Sequence, residues 1–322
     1  MRALVTGATG FVGSHLAEAL RRRGDEVTVL ARSLAKAAEL GPLGVRVVAG
    51  HLHDPAALEA AVAGQDVVYH AAGIVAGRNE AEFMAVNRDG TRNVLRAAER
   101  ASTGRFVLVS SMAAAGPAAK GRPLRGDEPP RPVTGYGRSK LAAEEVVTAG
   151  RVPWTIVRPP MVYGPRDVEV LKLFRLAKLG IAPLLGDGTQ ELSAVHAADL
   201  ADALVAAGTA TGTPGRTYYA CHPEIFTGAA MVREIGSVMG KSPLLVRVPA
   251  PIGREVLRVT GTAARLAGRT TILTADKANE LFQAAWTGDP GPLTRDTGWR
   301  AARDLRTGLE ETHRWYRAAG WL

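Results

Sequence analysis

Through the first half of the chain, short apolar runs alternate with longer amphipathic stretches. Residues 3–6, 26–31, 45–49, 67–71, 106–110 and 154–158 are short, apolar and bounded by turn residues, so they read as strands. Residues 11–23, the segment starting at Asp54-Pro55, and residues 80–101 and 136–148 carry apolar side chains at helical spacing. The first of these ends at Gly24 with arginines in its last turn, where the helix dipole favours cations. Asp54-Pro55 offers an N-cap and a first-turn proline. Strand–helix alternation of this kind predicts α/β architecture, a doubly wound parallel sheet with helices on both faces.

Residues 116–135 form a long loop rich in Pro, Gly and charge, and a loop of that length inside a compact domain is usually functional. Beyond Gly164 the rhythm loosens. Helical patterns recur at 168–179, 198–207 and 227–239, with a turn at Gly186-Asp187-Gly188. An arginine-rich stretch of uncertain structure follows, then an amphipathic tail with Trp315, Tyr316 and Trp321. No linker divides the halves. The expected organisation is a nucleotide-binding domain over 1–165, with 194–220 returning to it. Residues 166–322 would mainly form a smaller, C-terminal substrate-binding lobe over the carboxyl edge of the sheet.

The single cysteine, Cys221, excludes an internal disulfide and points to a reducing compartment. The chain enters its first strand at once, without a signal-peptide pattern, and no apolar run is long enough to span a membrane. A cytoplasmic protein is expected. Net charge is +9, and only seven of the forty basic residues are lysine. The arginines are scattered, with no basic stripe interleaved with aromatics, so a small-molecule substrate is expected and nucleic acid is not. His51, His53, His70 and His196 lack ligand spacing, and Cys221-His222 are adjacent, so no metal is expected.

Thr6-Gly7-Ala8-Thr9-Gly10-Phe11-Val12-Gly13 joins the first strand to the first helix. In that context Gly7 permits a tight turn, Gly10 lets the backbone approach a pyrophosphate, and Gly13 lets helix and strand pack closely. The free N–H groups of the helix start, around Thr9, Phe11 and Val12, suit phosphate. An acid at the end of the second strand would bind the 2′-hydroxyl of NAD. Ala31 and Arg32 stand there instead, and Arg32 suits a 2′-phosphate, so NADP is expected over NAD.

Tyr136 and Lys140 lie four apart, on one helical face. Six tyrosines and seven lysines in 322 residues would give such a pair by chance about 0.1 times. A phenol with a free pKa of about 10 becomes an acid or base when a cation stabilises its phenolate. Ser110-Ser111 ends the fifth strand, where open sheets place ligands.

These motifs resemble the extended short-chain dehydrogenase/reductases, within the NAD-dependent epimerase/dehydratase superfamily. The resemblance implies a Rossmann-type fold with Ser111, Tyr136 and Lys140 at the chemical centre. Ser111 lies 25 residues before Tyr136 and five before Gly116, as the family requires, with Ser110 as the fallback. His70-Ala71-Ala72-Gly73 is similar to the family's fourth-strand motif, which lies against the cofactor. Asn87 stands in the next helix motif, as a proton-relay residue or a structural one. Pro159 belongs to the motif after the sixth strand, and His196 and Asp199 match a V-H-x-x-D stretch. The family's adenine-contacting Asp is replaced by His51, leaving a backbone contact from Leu52. The resemblance also implies a homodimer through the helices carrying Asn87 and Tyr136.

Nucleotide-sugar members of the family carry Asn and Arg, for the diphosphate, where this chain has Met161 and Leu192. An anion buried there without partners would cost several kcal/mol. The motif around Met161 resembles the 3β-hydroxysteroid dehydrogenase and dihydroflavonol reductase branches. The implied reaction is hydride transfer with an apolar cyclic or aromatic alcohol or ketone held near Ser111, Met161 and Leu192. Two alternatives are a nucleotide-sugar 4-epimerase or dehydratase with tightly bound NAD, and a non-enzymatic cofactor-binding sensor.

Overall fold

The computed structural model describes residues 1–268 and 270–322. Seven strands form one parallel sheet, in the order Arg216–Tyr219, Trp154–Arg158, Arg105–Val109, Val67–His70, Arg2–Thr6, Glu26–Ala31, Arg46–Ala49. The order reverses at Arg2–Thr6, the switch point of a Rossmann-type doubly wound sheet. Thr6 sits there in register with Leu30 on one side and His70 on the other. Strands buried on both faces are apolar throughout, which is why they read as runs without alternation.

Each face of the sheet has its own core. On one, Leu16, Leu20, Leu200 and Leu204 of helices Phe11–Arg22 and Ala197–Thr209 pack against Val5, Val29, Val107 and Val157. On the other, Leu58, Val94, Leu95 and Val147 cover Leu4, Val68, Phe106 and Ile156. After the helix Ala197–Thr209 the chain re-enters the sheet as the edge strand Arg216–Tyr219.

One expected helix differs. Residues 80–101 are not a continuous α-helix: Glu80–Phe83 leads into a π-helical stretch, Met84–Asp89, and then into Gly90–Arg100. The wider turn carries Asn87 inward, where its side chain is buried. Gly90 follows because a Cβ there would lie 2.7 Å from Leu52 Cδ1.

The remaining residues build a lobe from three small sheets and the helices Glu169–Lys178, Gly228–Val238, Ala250–Leu266, Ala275–Leu281 and Leu305–Ala318. Tyr163, Phe174, Phe226, Ile235, Leu309 and Tyr316 form its core. Trp315 and Trp321 of the tail meet edge to face at 4.9 Å. The 116–135 loop is stitched to this lobe through Ala118 N–H to the Ala285 carbonyl (3.0 Å) and Leu124 N–H to the Thr287 carbonyl (2.9 Å). Among the described residues, no helix is long and apolar enough to cross a membrane.

Candidate active site

The first strand turns into the first helix at Gly7, whose φ of +77° is left-handed and suits glycine. A Cβ at Gly7 would lie 2.6 Å from the Ala72 nitrogen, and one at Gly13 would lie 2.2 Å from the Gly7 oxygen. Helix, turn and fourth-strand end are therefore in backbone contact. Gly10 is the N-cap and supplies no side chain to the helix start, and the first turn carries no acid. The amides of Phe11, Val12 and Gly13 have no intrahelical acceptor. Thr9 is exposed beside them. This bare, cation-like helix end fits the pyrophosphate of a dinucleotide.

At the next strand end Ala31 is buried and Arg32 exposed. Ser33 caps the short helix Leu34–Ala38, accepting from Lys36 N–H at 3.3 Å. His51 is exposed, with its Nδ1 accepting from His53 N–H at 3.1 Å. The Leu52 side chain packs against Gly90, and its carbonyl accepts from Asn93 at 3.0 Å. Ala71 and Ala72 donate to the Thr6 carbonyl and hydroxyl at 3.2 and 3.3 Å.

His70 bridges Thr6 Oγ1 (2.7 Å) and Thr91 Oγ1 (2.9 Å). Burial, helped by the Lys140 charge, pushes its pKa down to about 3, so it is a neutral brace. Asn87 is engaged in full: Oδ1 accepts from Ile74 N–H (2.9 Å), and Nδ2 donates to the Ile74 carbonyl (3.1 Å) and to Ser139 Oγ (2.9 Å). Its amide presses on Gly73, where a Cβ would lie 2.9 Å from Oδ1.

Thr134 caps the helix Gly135–Thr148, which sets Tyr136 in its first turn. The phenol is pushed up to about 12 by burial, opposed by a hydrogen bond with Ser111 and reinforced by the negative charge of Glu280. Ser111 itself caps the helix Met112–Ala115 and accepts from Ala113 N–H at 3.1 Å. One turn beyond Tyr136, Lys140 Nζ donates to the Val109 carbonyl at 2.8 Å. Burial pushes the Lys140 pKa down to about 8, against the pull of Glu144. Pro159 is buried and its carbonyl accepts from Met112 N–H at 2.9 Å, tying the Ser111 helix to the sixth strand end.

Ser110 points elsewhere. Its hydroxyl donates to Glu144 at 2.5 Å, and Glu144 is paired with Arg158 through Nε (2.9 Å) and Nη2 (2.6 Å). Arg158 Nη1 also donates to the Tyr219 hydroxyl at 3.3 Å. This buried chain locks the Tyr136 helix to two strands. Sequence reasoning missed it, because a Glu eight residues after Tyr136 carries no motif of its own.

A cleft of about 360 Å³ opens beside the phenol, lined by Phe83, Thr134, Tyr136, Arg258, Thr262 and Glu280 among others. Glu280 was also missed. Its Oε1 pairs with Lys277, whereas Oε2 is buried without a hydrogen-bond partner among the described residues. Met161 and Leu192 pack on the lobe core around Tyr163 and Phe226 and are not in the lining of this cleft. Asp199 receives Arg303 Nη1 at 2.6 Å and the Ala302 and Arg303 amides, so it anchors the segment before the last helix. Among the described residues no group of three His, Cys, Asp or Glu side chains could hold a metal.

Known proteins bear on this geometry. The profile of the NAD dependent epimerase/dehydratase family matches residues 3–221. A ceramide reductase of Caulobacter vibrioides is 35% identical over 320 residues, covering 99% of this chain and 95% of the relative. A 4-hydroxy-2-methyl-3-oxo-4-farnesyl-3,4-dihydroquinoline-1-oxide ketoreductase of Stigmatella aurantiaca is 31% identical, covering 94% and 96%. The crystal structure of the UDP-glucose 4-epimerase of Thermus thermophilus in complex with NAD superposes with a TM-score of 0.80 at 25% identity, covering 99% of this chain and all of that one.

Proposed function

The chain belongs to the NAD dependent epimerase/dehydratase family, and from that premise we propose that it is an NADP(H)-dependent reductase of ketones carried on apolar molecules. The observation that carries this reading is the Tyr136 phenol, one helical turn before the buried Lys140, facing a cleft whose lining also holds the Glu280 carboxylate. The buried oxygen of Glu280 that lacks a hydrogen-bond partner suits a substrate N–H or O–H. Met161 and Leu192, where nucleotide-sugar members carry polar diphosphate ligands, support the same choice. The substrates named for the two relatives carry apolar groups, one of them farnesyl, which favours a long chain over a bare ring.

The nicotinamide cofactor supplies the hydride when bound. The amides of Phe11, Val12 and Gly13 would hold its pyrophosphate, with Gly7 and Gly10 keeping side chains out of the way. Arg32 would meet the 2′-phosphate, Leu52 the adenine edge, and Ala71, Ala72, Gly73 and Pro159 the nicotinamide half. Ser111 orients the ketone oxygen, and Tyr136 gives that oxygen its proton. Lys140 supports the developing phenolate charge and holds the ribose.

An epimerase would need diphosphate ligands from elsewhere. Four arginines, Arg122, Arg125, Arg295 and Arg300, line a second cavity of about 910 Å³, but Tyr136 is not in its lining. A sensor would have no use for an acid–base pair. The discriminating experiment offers the purified protein NADPH with a long-chain 3-oxo amide, a cyclic ketone and, separately, UDP-glucose. Reduction of the long-chain ketone without epimerisation of the sugar is expected. Sugar epimerisation with no ketone reduction would reject the proposal.

Arg32→Ala should weaken NADPH binding by roughly 10- to 100-fold, the loss of one charge-assisted phosphate contact. NADH affinity should be unchanged. Fluorescence titration with both nucleotides checks this, and equal losses for the two would refute the 2′-phosphate role.

Glu280→Gln should move the pH profile of the reverse reaction, alcohol oxidation. That direction needs the phenolate, so its rate rises with pH towards the phenol pKa. The Glu280 charge raises that pKa. Its removal should therefore displace the rising limb to lower pH, a change that a purely structural role would not produce.

A further inference from the structure

The helix Gly135–Thr148, which presents Tyr136 and Lys140, starts with N–H groups that have no partner inside the helix. Thr134 Oγ1 takes the Gly137 N–H at 3.0 Å. The first turn contains no acid of its own. The acid comes from the lobe: Asp276 Oδ2 accepts from the Gly135 N–H at 2.8 Å, across 141 positions of sequence. A carboxylate there satisfies an orphan donor and meets the positive end of the helix dipole. Gly135 immediately precedes Tyr136, so the contact lies at the peptide that leads into the phenol.

Asp276 belongs to the short helix Ala275–Leu281, capped by Thr274, whose hydroxyl accepts from Lys277 N–H at 3.2 Å. Glu280 lies four residues on, on the same helical face. Both carboxylates line the cleft beside Tyr136. Arg254 Nη1 donates to Asn279 Oδ1 (3.2 Å) and Trp286 Nε1 to the Glu280 carbonyl (2.8 Å), and both of these contacts stay within the lobe. Among the described residues, the Asp276–Gly135 bond is the one hydrogen bond from this helix to residues 1–165. A third element meets the same point. Glu80 receives Arg138 at 2.8 and 2.7 Å, and Glu80 Oε2 and Arg138 Nη2 lie 3.5 and 3.6 Å from where a Cβ on Gly135 would be. Both side chains are 43% exposed, so that pair stabilises little by itself. The bond that joins the two walls of the cleft is the one made by Asp276.

We propose that Asp276 is a positioning residue: by gripping the Gly135 amide it holds the helix Ala275–Leu281 against the start of the Tyr136 helix, and so fixes the spacing between Glu280 and the phenol. This rests on the reading of Tyr136 as the proton donor. Asp276 acts through Gly135, without touching the reacting atoms. A misplacement of about 1 Å at a reacting group costs on the order of a hundredfold in rate, so a loosened grip should be read in the chemical step.

The test compares Asp276→Ala with Asp276→Asn, whose side-chain oxygen can still accept from Gly135. Asp276 is half-buried and outside the apolar cores of the sheet and the lobe, so the fold should survive. Hydrogen exchange on the full chain, read by mass spectrometry, reports the grip without any substrate. In Asp276→Ala, peptides covering 134–140 and 275–281 should exchange about five- to tenfold faster than in the wild type. Its kcat for ketone reduction should fall about 10- to 100-fold, with KM and NADPH affinity little changed. Asp276→Asn should recover most of both losses. Wild-type exchange of either segment in Asp276→Ala overturns the proposal, as does an unchanged kcat. A loss confined to KM also overturns it, since Asp276 would then be a substrate contact, and so do equal defects in the two variants, since charge and not the grip would then matter. A wild-type chain that reduces no ketone rejects the reading of Tyr136 instead, and the exchange data still decide whether Asp276 holds the two helices together.

Discussion

Tyr136→Phe should lower kcat for ketone reduction about a thousandfold while leaving cofactor binding and fold intact. The substitution removes one oxygen atom. It takes away the phenolic proton that the proposed mechanism gives to the substrate oxygen. Little of the fold depends on that oxygen, because Thr134 caps the helix and the ring meets Phe83 edge to face at 6.0 Å through its carbon frame. NADPH titration and thermal melting should thus match the wild type, and single-turnover kinetics should show the loss in the chemical step. A fall in NADPH affinity of similar size would mean that Tyr136 serves binding and that the proton comes from elsewhere. Ser111→Ala should act in the same direction, whereas Ser110→Ala should act on stability through Glu144.

The second large effect concerns the buried pair beneath that helix. Glu144→Ala should cost about 3–5 kcal/mol, because it strands the Arg158 guanidinium away from water. Both side chains are almost fully buried, at 5% and 7% exposure, so solvent screening offers little relief. A melting midpoint lower by roughly 10 °C is expected. Replacing both partners, Glu144→Leu with Arg158→Met, should recover much of the loss, since no charge is then left unpaired. A double variant as unstable as the single one would mean that the pair's geometry, and not an orphaned charge, holds the Tyr136 helix. Activity should fall with either single variant, because the helix that presents Tyr136 and Lys140 is tied to the sheet through this contact.

Some parts of this site are local in sequence and were legible there. The turn from Gly7 to Gly13 needs particular backbone freedom, and only glycine supplies it. Tyr136 and Lys140 face one way because a helix repeats every 3.6 residues. Six of the seven strands were legible, most of them because both of their faces are buried, whereas the edge strand Arg216–Tyr219 was expected only as part of a stretch returning to the domain.

Other parts depend on distant packing. The family's spacing favours Ser111 over Ser110, and the structure shows what the sequence does not, that the Ser110 hydroxyl is taken up by Glu144. Glu280 lines the cleft beside the phenol from a helix late in the chain, out of a stretch with no motif. The helix Ala250–Leu266 escaped assignment, and its apolar positions face outward, so its pattern was no guide to its packing. The π-helical stretch at Met84–Asp89 interrupts what reads as uniform helical periodicity, because the position of Asn87 is set by contacts with Ile74 and Ser139.

The central claim is that Tyr136 protonates a ketone oxygen while hydride passes to the carbonyl carbon. The most direct measurement uses NADPH carrying deuterium at the transferable ring position, a long-chain 3-oxo amide, and mass spectrometry of the product. One deuterium on the carbinol carbon for each NADPH consumed, with the signal abolished in Tyr136→Phe, is the predicted result. Undiminished label transfer in Tyr136→Phe, or sugar-nucleotide isomerisation without net consumption of cofactor, would contradict the account.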